Sequence, residues 1–182
     1  KTTRLIAQMH KAITIIQFKL EGEIIRRRPE FEMDDRMLLH HIDLKRGVVH
    51  IDGKDYTLKD TNWPTLDPKD PYRLSIEEED LIRKILHSFE SSEKMKKHMR
   101  CFFRHGGMYQ VCNSNLLFHA SIPMNPDGTF KSVRILGQDY KGRALLDRVD
   151  QLIRTAYFKT GEQEEVEYAH DYIWYLWGGK DS

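Results

Sequence analysis

The sequence predicts an α+β fold, and three observations carry that prediction. Apolar residues recur at spacings of three and four over long stretches near both ends of the chain, which is typical of amphipathic helices. Hairpin signals lie between them, and Asp52-Gly53 is the clearest because this pair supplies the positive φ angles of a tight turn. Helices come first, then a hairpin, more helices, three strands and two last helices, an order typical of α+β rather than of alternating βαβ units.

The composition indicates a globular domain and excludes several function classes. The 182 residues include 40% hydrophobic and 31% charged residues, with a net charge of +1. That balance predicts neither a nucleic-acid nor a membrane partner. Cys101 and Cys112 are the only cysteines, and they suit a reducing, cytoplasmic compartment. No apolar run approaches the roughly 20 residues needed to cross a bilayer.

The first stretch, from Thr2 to about Arg28, predicts one long helix that ends before Pro29. Its apolar stripe should leave the helix well buried. The stripe consists of Ile6, Met9, Ile13, Ile16, Leu20 and Ile24.

Charged residues follow at the end of this helix. The run Arg26-Arg27-Arg28 can be interpreted as a phosphate site, or as a solvated helix end whose cations suit the helix dipole. The adjacent pairs Asp34-Asp35 and His40-His41 lie on a predicted short helix or turn. Neighbouring residues do not share a helix face, so neither pair suits acid–base chemistry or a shared metal.

Residues 46–73 are interpreted as a hairpin followed by a loop, inserted into a larger fold. The strands flank Asp52-Gly53, and Pro64, Pro68 and Pro71 then predict an ordered loop without regular pairing.

The second half predicts further helices and strands. A capping box at Ser75-Glu78 begins one helix, and Gly106-Gly107 ends the next, whose methionines are expected to fill the core. A hairpin is predicted over 108–119 and a strand over 130–136. The last helices are predicted from about Gly142 to Phe158 and around Tyr168–Trp177.

The most informative stretch is Asn115–Pro123, where an apolar run meets His119. A short apolar run bounded by turn residues predicts a buried strand, and loops that leave such strands often carry functional groups. On composition alone, however, a lone histidine after a strand is more often a hydrogen-bonded core residue than a metal ligand.

A family resemblance changes the interpretation of His119. The chain resembles the middle portion of the class III fructose-1,6-bisphosphatases, bacterial enzymes of the calcineurin-like metallophosphoesterase superfamily. The resemblance covers essentially the whole chain. The matching segments are His10–Ile13, Ile16–Glu21, Arg27–Phe31, Met33–Arg36, Ser92–Lys94 with His98, Asn115–His119, Gly142–Asp147 and Trp174–Trp177.

This resemblance implies a binuclear Mn²⁺ site, to which His119 contributes one ligand. The superfamily's other ligand motifs have no counterpart in these 182 residues, so no catalytic residue is assigned. Family members usually carry Gly-Cys after the histidine, whereas Ala120-Ser121 follows it here; both pairs are small enough for a close approach to a metal. The implied fold places these strands in a calcineurin-like β-sandwich flanked by helices.

The implied reaction is hydrolysis of the 1-phosphate of fructose 1,6-bisphosphate, giving fructose 6-phosphate in gluconeogenesis. Both ends of the chain look internal, so we expect 1–182 to be a single internal piece of a longer metallophosphatase, inactive by itself. Its expected partners are the sugar bisphosphate and the remainder of its own chain.

Two other functions fit the sequence. One is a metallophosphoesterase that acts on phosphoproteins, and the other is a non-catalytic interaction module built on the hairpins and the aromatic last helix. A homo-oligomer is compatible with each of the three.

Overall fold

A computed structural model describes residues 2–118 and 121–181 and confirms the α+β class. The chain divides into two compact units, Lys1–Ser91 and Ser92–Ser182. The strands of the described residues form three separate antiparallel sheets of two or three strands. The calcineurin-like sandwich therefore stays a prediction for the longer protein. No helix in the described ranges has both the length and the apolar character needed to span a membrane.

The first unit begins with helix α1, Thr3–Arg27, as the sequence predicts. Its residues Ile15, Ile16 and Ile25 are buried, whereas the apolar residues of its first half are 43–52% exposed. The expectation of a well-buried helix is therefore wrong for the first half. The exposed residues are Leu5, Ile6, Met9 and Ile13.

Short 3₁₀ turns at Pro29–Phe31, Asp34–Arg36 and Leu39–His41 follow, in agreement with the predicted short helix or turn. A three-stranded antiparallel sheet comes next. Its strands are β1 (Ile42–Asp43), β2 (Val48–Ile51) and β3 (Lys54–Thr57).

The predicted tight turn joins β2 to β3. Asp52 and Gly53 both have positive φ, 50° and 75°, as a type I′ hairpin turn requires. Strand β1 was not predicted, because two residues are too few to show an alternating pattern.

Residues 58–75 form neither helix nor strand, as the prolines predict, yet this loop is tied along α1. Lys11 pairs with Asp60, the Lys19 ammonium donates to the Thr65 carbonyl at 2.6 Å, and Arg26 pairs with Asp70 at 2.9 Å. The three cations are eight and seven residues apart, so they lie on one face of the helix. The loop is therefore ordered by contacts with α1 rather than by its own backbone pairing.

Helix α2, Ile76–Glu90, begins with the predicted capping box. The Ser75 hydroxyl accepts from the Glu78 backbone N–H at 3.3 Å, and the Ser75 N–H donates to Glu78 Oε2 at 2.8 Å. Both bonds satisfy backbone or side-chain groups that would otherwise lack partners at the helix start.

The second unit begins with helix α3, Glu93–His105, which starts at a Ser92 cap and stops at Gly106 as predicted. Phe103 is buried, but Met95 is exposed. The expectation that the methionines of this helix fill the core is therefore wrong for Met95.

Two hairpins follow: β4 (Tyr109–Cys112) with β5 (Asn115–Phe118), and β6 (Val133–Ile135) with β7 (Gln138–Tyr140). The sequence predicts one strand over 130–136 instead of the second hairpin. The turn was missed because its first residue is Leu136, at φ 47°, followed by Gly137 at φ 79°. A leucine rarely adopts that conformation, so Leu-Gly carries little turn signal.

Helices α4 (Gly142–Phe158) and α5 (Gln163–Gly178) form the core of the second unit. The first agrees with its predicted bounds. In α5 three tyrosines of the aromatic cluster are buried, while Trp177 is 89% exposed. The buried residues of the two helices include Leu145, Leu146, Val149, Leu152, Ala156, Val166, Tyr168, Ala169, Tyr172 and Tyr175.

Candidate functional site

The β4–β5 hairpin is the element that leads to the predicted ligand, His119. Its register pairs Tyr109 with Phe118 and Cys112 with Asn115. Its turn residues Asn113 and Ser114 both have positive φ, 50° and 62°. These are the angles of a type I′ turn, whose twist matches that of the flanking strands.

The strand that precedes His119 is exposed, which corrects the expectation of a buried strand. Leu117 is 54% and Phe118 45% exposed, and every residue of β5 is classed as exposed. A two-stranded ribbon has two open faces unless another layer covers them. In the described residues no such layer lies over β5. The apolar pattern correctly predicted a strand, but it does not indicate whether another element covers the strand's side chains.

His119 and Ala120 themselves lie outside the described residues. The assignment of His119 as a metal ligand is therefore a prediction that the structure does not test. The structure describes the chain up to Phe118 and again from Ser121.

A groove of about 470 Å³ opens beside the end of β5. It is bounded by the end of α3, the start of β4 and the last two residues of β5. The lining residues are His105, Gly106, Gly107, Met108, Tyr109, Gln110, Leu117 and Phe118. This volume lies within the range of small-molecule sites in proteins.

A second cavity of about 430 Å³ shares the segment 106–109 and extends to α4, where Asp147, Asp150 and Arg154 line it. Arg154 donates to Asp150 at 2.6 Å and to the backbone carbonyls of Phe103 and Gly106 at 2.6 and 3.1 Å. These carbonyls belong to the C-terminal end of α3, where helix carbonyls lack intrahelical partners. Arg154 thereby fixes the end of α3, and with it one wall of the groove, to α4.

A second contact fixes the hairpin to the same helix. The Tyr109 hydroxyl donates to Asp147 Oδ1 at 3.1 Å. Arg143 lies 3.5 Å from the other oxygen of Asp147 and 5.8 Å from the centre of the Tyr109 ring. Because Tyr109 pairs directly with Phe118, Asp147 anchors the hairpin at the position next to His119 in the chain.

The described residues do not by themselves fit a binuclear metal site. They contain no group of three His, Cys, Asp or Glu side chains that could hold an ion. The carboxylates of the adjoining cavity, Asp147 and Asp150, are already bound to Tyr109 and Arg154. The metal that the family resemblance implies would need ligands beyond these residues.

The residues singled out in the first unit have structural partners. Arg26 pairs with Glu23 and Asp70 and lies 4.7 Å from the centre of the Tyr72 ring. This agrees with a helix-end role for Arg26 rather than a phosphate site.

His40 lies in a hydrogen-bonded cluster around Tyr72. The Tyr72 hydroxyl accepts from the Leu39 N–H at 3.1 Å and lies 3.0 Å from His40 Nδ1. Burial lowers the pKa of His40, and the charges of His41 and Arg26 add to that effect. When His40 is neutral, its Nδ1 can accept a hydrogen bond from the Tyr72 hydroxyl.

Sequence reasoning missed Tyr109, Asp147 and Arg154 as residues of this site. Asp147 lies in a segment that carries the family resemblance, Gly142–Asp147, and that was its only signal. Arg154 had no signal that linked it to α3, because Phe103 and Gly106 lie 51 and 48 residues away along the chain.

Comparison with known proteins adds to this geometry. The sequence profile of the Firmicute fructose-1,6-bisphosphatases matches residues 1–182. A class 3 fructose-1,6-bisphosphatase of Bacteroides fragilis is 65% identical over 182 residues, and one of Bacteroides thetaiotaomicron is 63% identical. One of Clostridioides difficile is 52% identical over 178 residues. No solved structure matches the chain.

The chain is fully covered in the two Bacteroides comparisons and 98% covered in the third, but it spans only 27% of the length of each relative. Its match to the family profile extends from the first residue to the last. The chain therefore belongs to the Firmicute fructose-1,6-bisphosphatase family.

Proposed function

We propose that the full-length protein removes the 1-phosphate of fructose 1,6-bisphosphate and releases fructose 6-phosphate. The observation that carries this proposal is the family membership of all 182 residues, with relatives at 52–65% identity that are named class 3 fructose-1,6-bisphosphatases. The groove beside β5 has a volume that suits a sugar bisphosphate. Gluconeogenesis would be the corresponding metabolic role.

The proposal includes a metal requirement and assigns one ligand, His119, to Mn²⁺. Divalent ions polarise a water nucleophile and neutralise phosphate oxygens. Imidazole suits such an ion when the ring is neutral and its second nitrogen has a partner. The remaining ligands would come from outside the described residues, which hold no group of three suitable side chains. The 182-residue piece alone is then expected to be inactive.

The residues of this chain would act by positioning. Tyr109 and Asp147 hold the hairpin against α4, and Arg154 holds the end of α3 that borders the groove. Catalytic groups must be held to within a fraction of an ångström, so a support of this kind is a requirement of the chemistry.

The experiment is a comparison of substrates and variants in the full-length protein. Phosphate release from fructose 1,6-bisphosphate is measured beside release from a phosphopeptide, and Mn²⁺ content is measured by elemental analysis. His119→Ala should lower turnover by at least about a hundredfold and reduce bound Mn²⁺. His50→Ala, on the exposed β2–β3 hairpin, is the matched control and should change neither quantity.

Two outcomes would refute parts of the proposal. Faster phosphate release from the phosphopeptide would indicate a metallophosphoesterase that acts on phosphoproteins instead. Normal turnover and normal Mn²⁺ in His119→Ala would remove His119 from the site while leaving the substrate intact.

A further inference from the structure

Helix α3 carries a concentration of positive charge that the rest of the chain does not share. Its thirteen residues, Glu93–His105, contain five Lys or Arg and one Glu, a net charge of +4. The whole chain has a net charge of only +1. A charge difference of this size sets up a local positive potential around one helix.

The cations of α3 are arranged on one side of the helix. Lys94, Lys97, Arg100 and Arg104 follow at spacings of three, three and four, so they form one continuous row. All four are exposed. We call these four residues the cationic row.

One residue of α3, Phe103, packs against α4, whereas Met95 and Phe102 are 38% and 60% exposed. Phe103 is buried, with its ring 4.7 Å from that of Tyr157 and 5.4 Å from that of Phe158. Packing against α4 therefore fixes the rotation of the helix and directs the cationic row to solvent.

Few of these charges are neutralised within the protein. Among the described residues, the α3 cation with an ion pair is Lys96, which binds Glu93 at 2.8 Å. Lys96 is not a member of the row. Glu93 also attracts Arg100 electrostatically, and the charge that remains on the row can act on a charged solute.

The row runs toward the groove. Arg104 is followed by His105, Gly106 and Gly107, which line the groove together with Leu117 and Phe118. Phe118 immediately precedes His119 in the sequence. None of the four cations lines the groove, but the helix that carries them ends at its edge, beside the place where the proposed function needs its substrate.

We propose that the cationic row draws the anionic substrate into the groove and lowers its KM through electrostatic attraction at a distance. This inference rests on the proposed function and adds a role for four residues that the family resemblance does not assign. Each phosphate monoester carries about 1.5 to 2 negative charges at neutral pH, so a sugar bisphosphate responds strongly to the field. The groove, at about 470 Å³, fits such a small molecule, whereas an extended polyanion would need a larger basic surface than one helix in a chain of net charge +1.

The test is the salt dependence of kinetics in the full-length protein, with Lys97→Gln, Arg100→Gln and Arg104→Gln combined. In about 20 mM salt the triple variant should raise KM for fructose 1,6-bisphosphate about tenfold, with kcat within about twofold. In about 0.5 M salt the difference in KM should fall below about twofold, because the ions screen the field. The matched control combines Lys54→Gln, Lys59→Gln and Lys69→Gln, three exposed cations of the first unit, and changes net charge by the same amount.

Each outcome has a distinct meaning. An equal rise in KM in the control would show a general effect of net charge and overturn the inference. An unchanged KM in the α3 variant, or an effect that persists in 0.5 M salt, would also overturn it while the proposed function stands. A wild-type protein without activity on the bisphosphate would refute the proposed function, and the inference would fall with it. Salt-sensitive binding of a duplex oligonucleotide to the wild type, lost in the α3 variant, combined with normal kinetics would assign the row to nucleic acid instead.

Discussion

Lys19 Nζ lies 2.7 Å from Glu78 Oε2, and both side chains are buried. The ammonium group also donates to the Thr65 carbonyl, and the carboxylate accepts from the Ser75 N–H. One ion pair thus joins α1, the 58–75 loop and the start of α2. A buried charge is tolerated only when its partners satisfy it, and here each charge has a second hydrogen-bond partner besides the other.

Replacing Lys19 with Met should destabilise the first unit by about 3–5 kcal/mol, because Glu78 is then left buried without its counter-charge. Hydrogen exchange of the α1 and α2 amides in the full-length protein measures this loss. Lys11→Met is the control, because Lys11 reaches the same loop through Asp60, whose side chain is 54% exposed. The explanation fails if both variants lose the same protection.

The pair should also make stability depend on pH. Burial alone would raise the pKa of Glu78, but the hydrogen bonds from Lys19, Thr65 and the Ser75 backbone outweigh it, and the pKa lies below its ordinary value of 4.5. A carboxyl group whose pKa is lowered by folding stabilises the protein fully above 4.5 and loses that contribution as pH falls through the lowered value.

We therefore expect Glu78→Gln to lower the thermal midpoint at pH 7 and the gap to the wild type to narrow below pH 4.5. Thermal unfolding of both proteins between pH 7 and pH 3 measures the gap. A gap that is constant across this range would contradict the assignment.

Gly22 lies in the interior of α1, where alanine is normally better by about 1 kcal/mol. A Cβ at this position would lie 2.0 Å from Cδ1 of Tyr72, a side chain that is 1% exposed. Gly22→Ala should instead destabilise by about 1–3 kcal/mol because the ring must move within a packed core. Denaturant unfolding measures the change, and Gly22→Ala with Tyr72→Leu should recover part of it. Full stability of the single variant would show that the ring has room to shift.

Arg154→Lys should weaken the support of the groove although it keeps the charge. A lysine cannot span Asp150 and the carbonyls of Phe103 and Gly106 with one fixed fork of donors. The expected cost is about 1–2 kcal/mol of stability, with lower kcat for fructose 1,6-bisphosphate in the full-length protein. Arg134→Lys, on the exposed face of β6, is the matched change. Equal kinetics in the two variants would mean that Arg154 does not position the groove.

Local elements followed from local signals. Three features agree with prediction: the capping box at Ser75, the Asp52-Gly53 turn and the bounds of α4. Each depends only on residues close together in the sequence. Strand β1 and the Leu136-Gly137 turn were missed, since neither has a composition typical of its structure.

Burial was the least predictable property. The apolar stripe of α1 is continuous in sequence, yet Ile6, Met9 and Ile13 are exposed whereas Ile16 is buried. The apolar residues of β5 are also exposed, because the described residues supply no layer over them. Periodicity predicts which side of a helix or strand is apolar, but that side is buried only where a second element packs against it.

The sequence by itself determined the long helices, the Asp52-Gly53 and Asn113-Ser114 turns, the α+β class and the family resemblance. Residues close together along the chain, or a comparison of sequences, suffice to show each of these. Only the tertiary structure revealed that Lys11, Lys19 and Arg26 bind one loop along one helix face, and that Tyr109 and Arg154 fix the hairpin and α3 to α4. These contacts join residues up to 51 positions apart. Their partners are selected by packing and charge in three dimensions, and no local pattern encodes that selection.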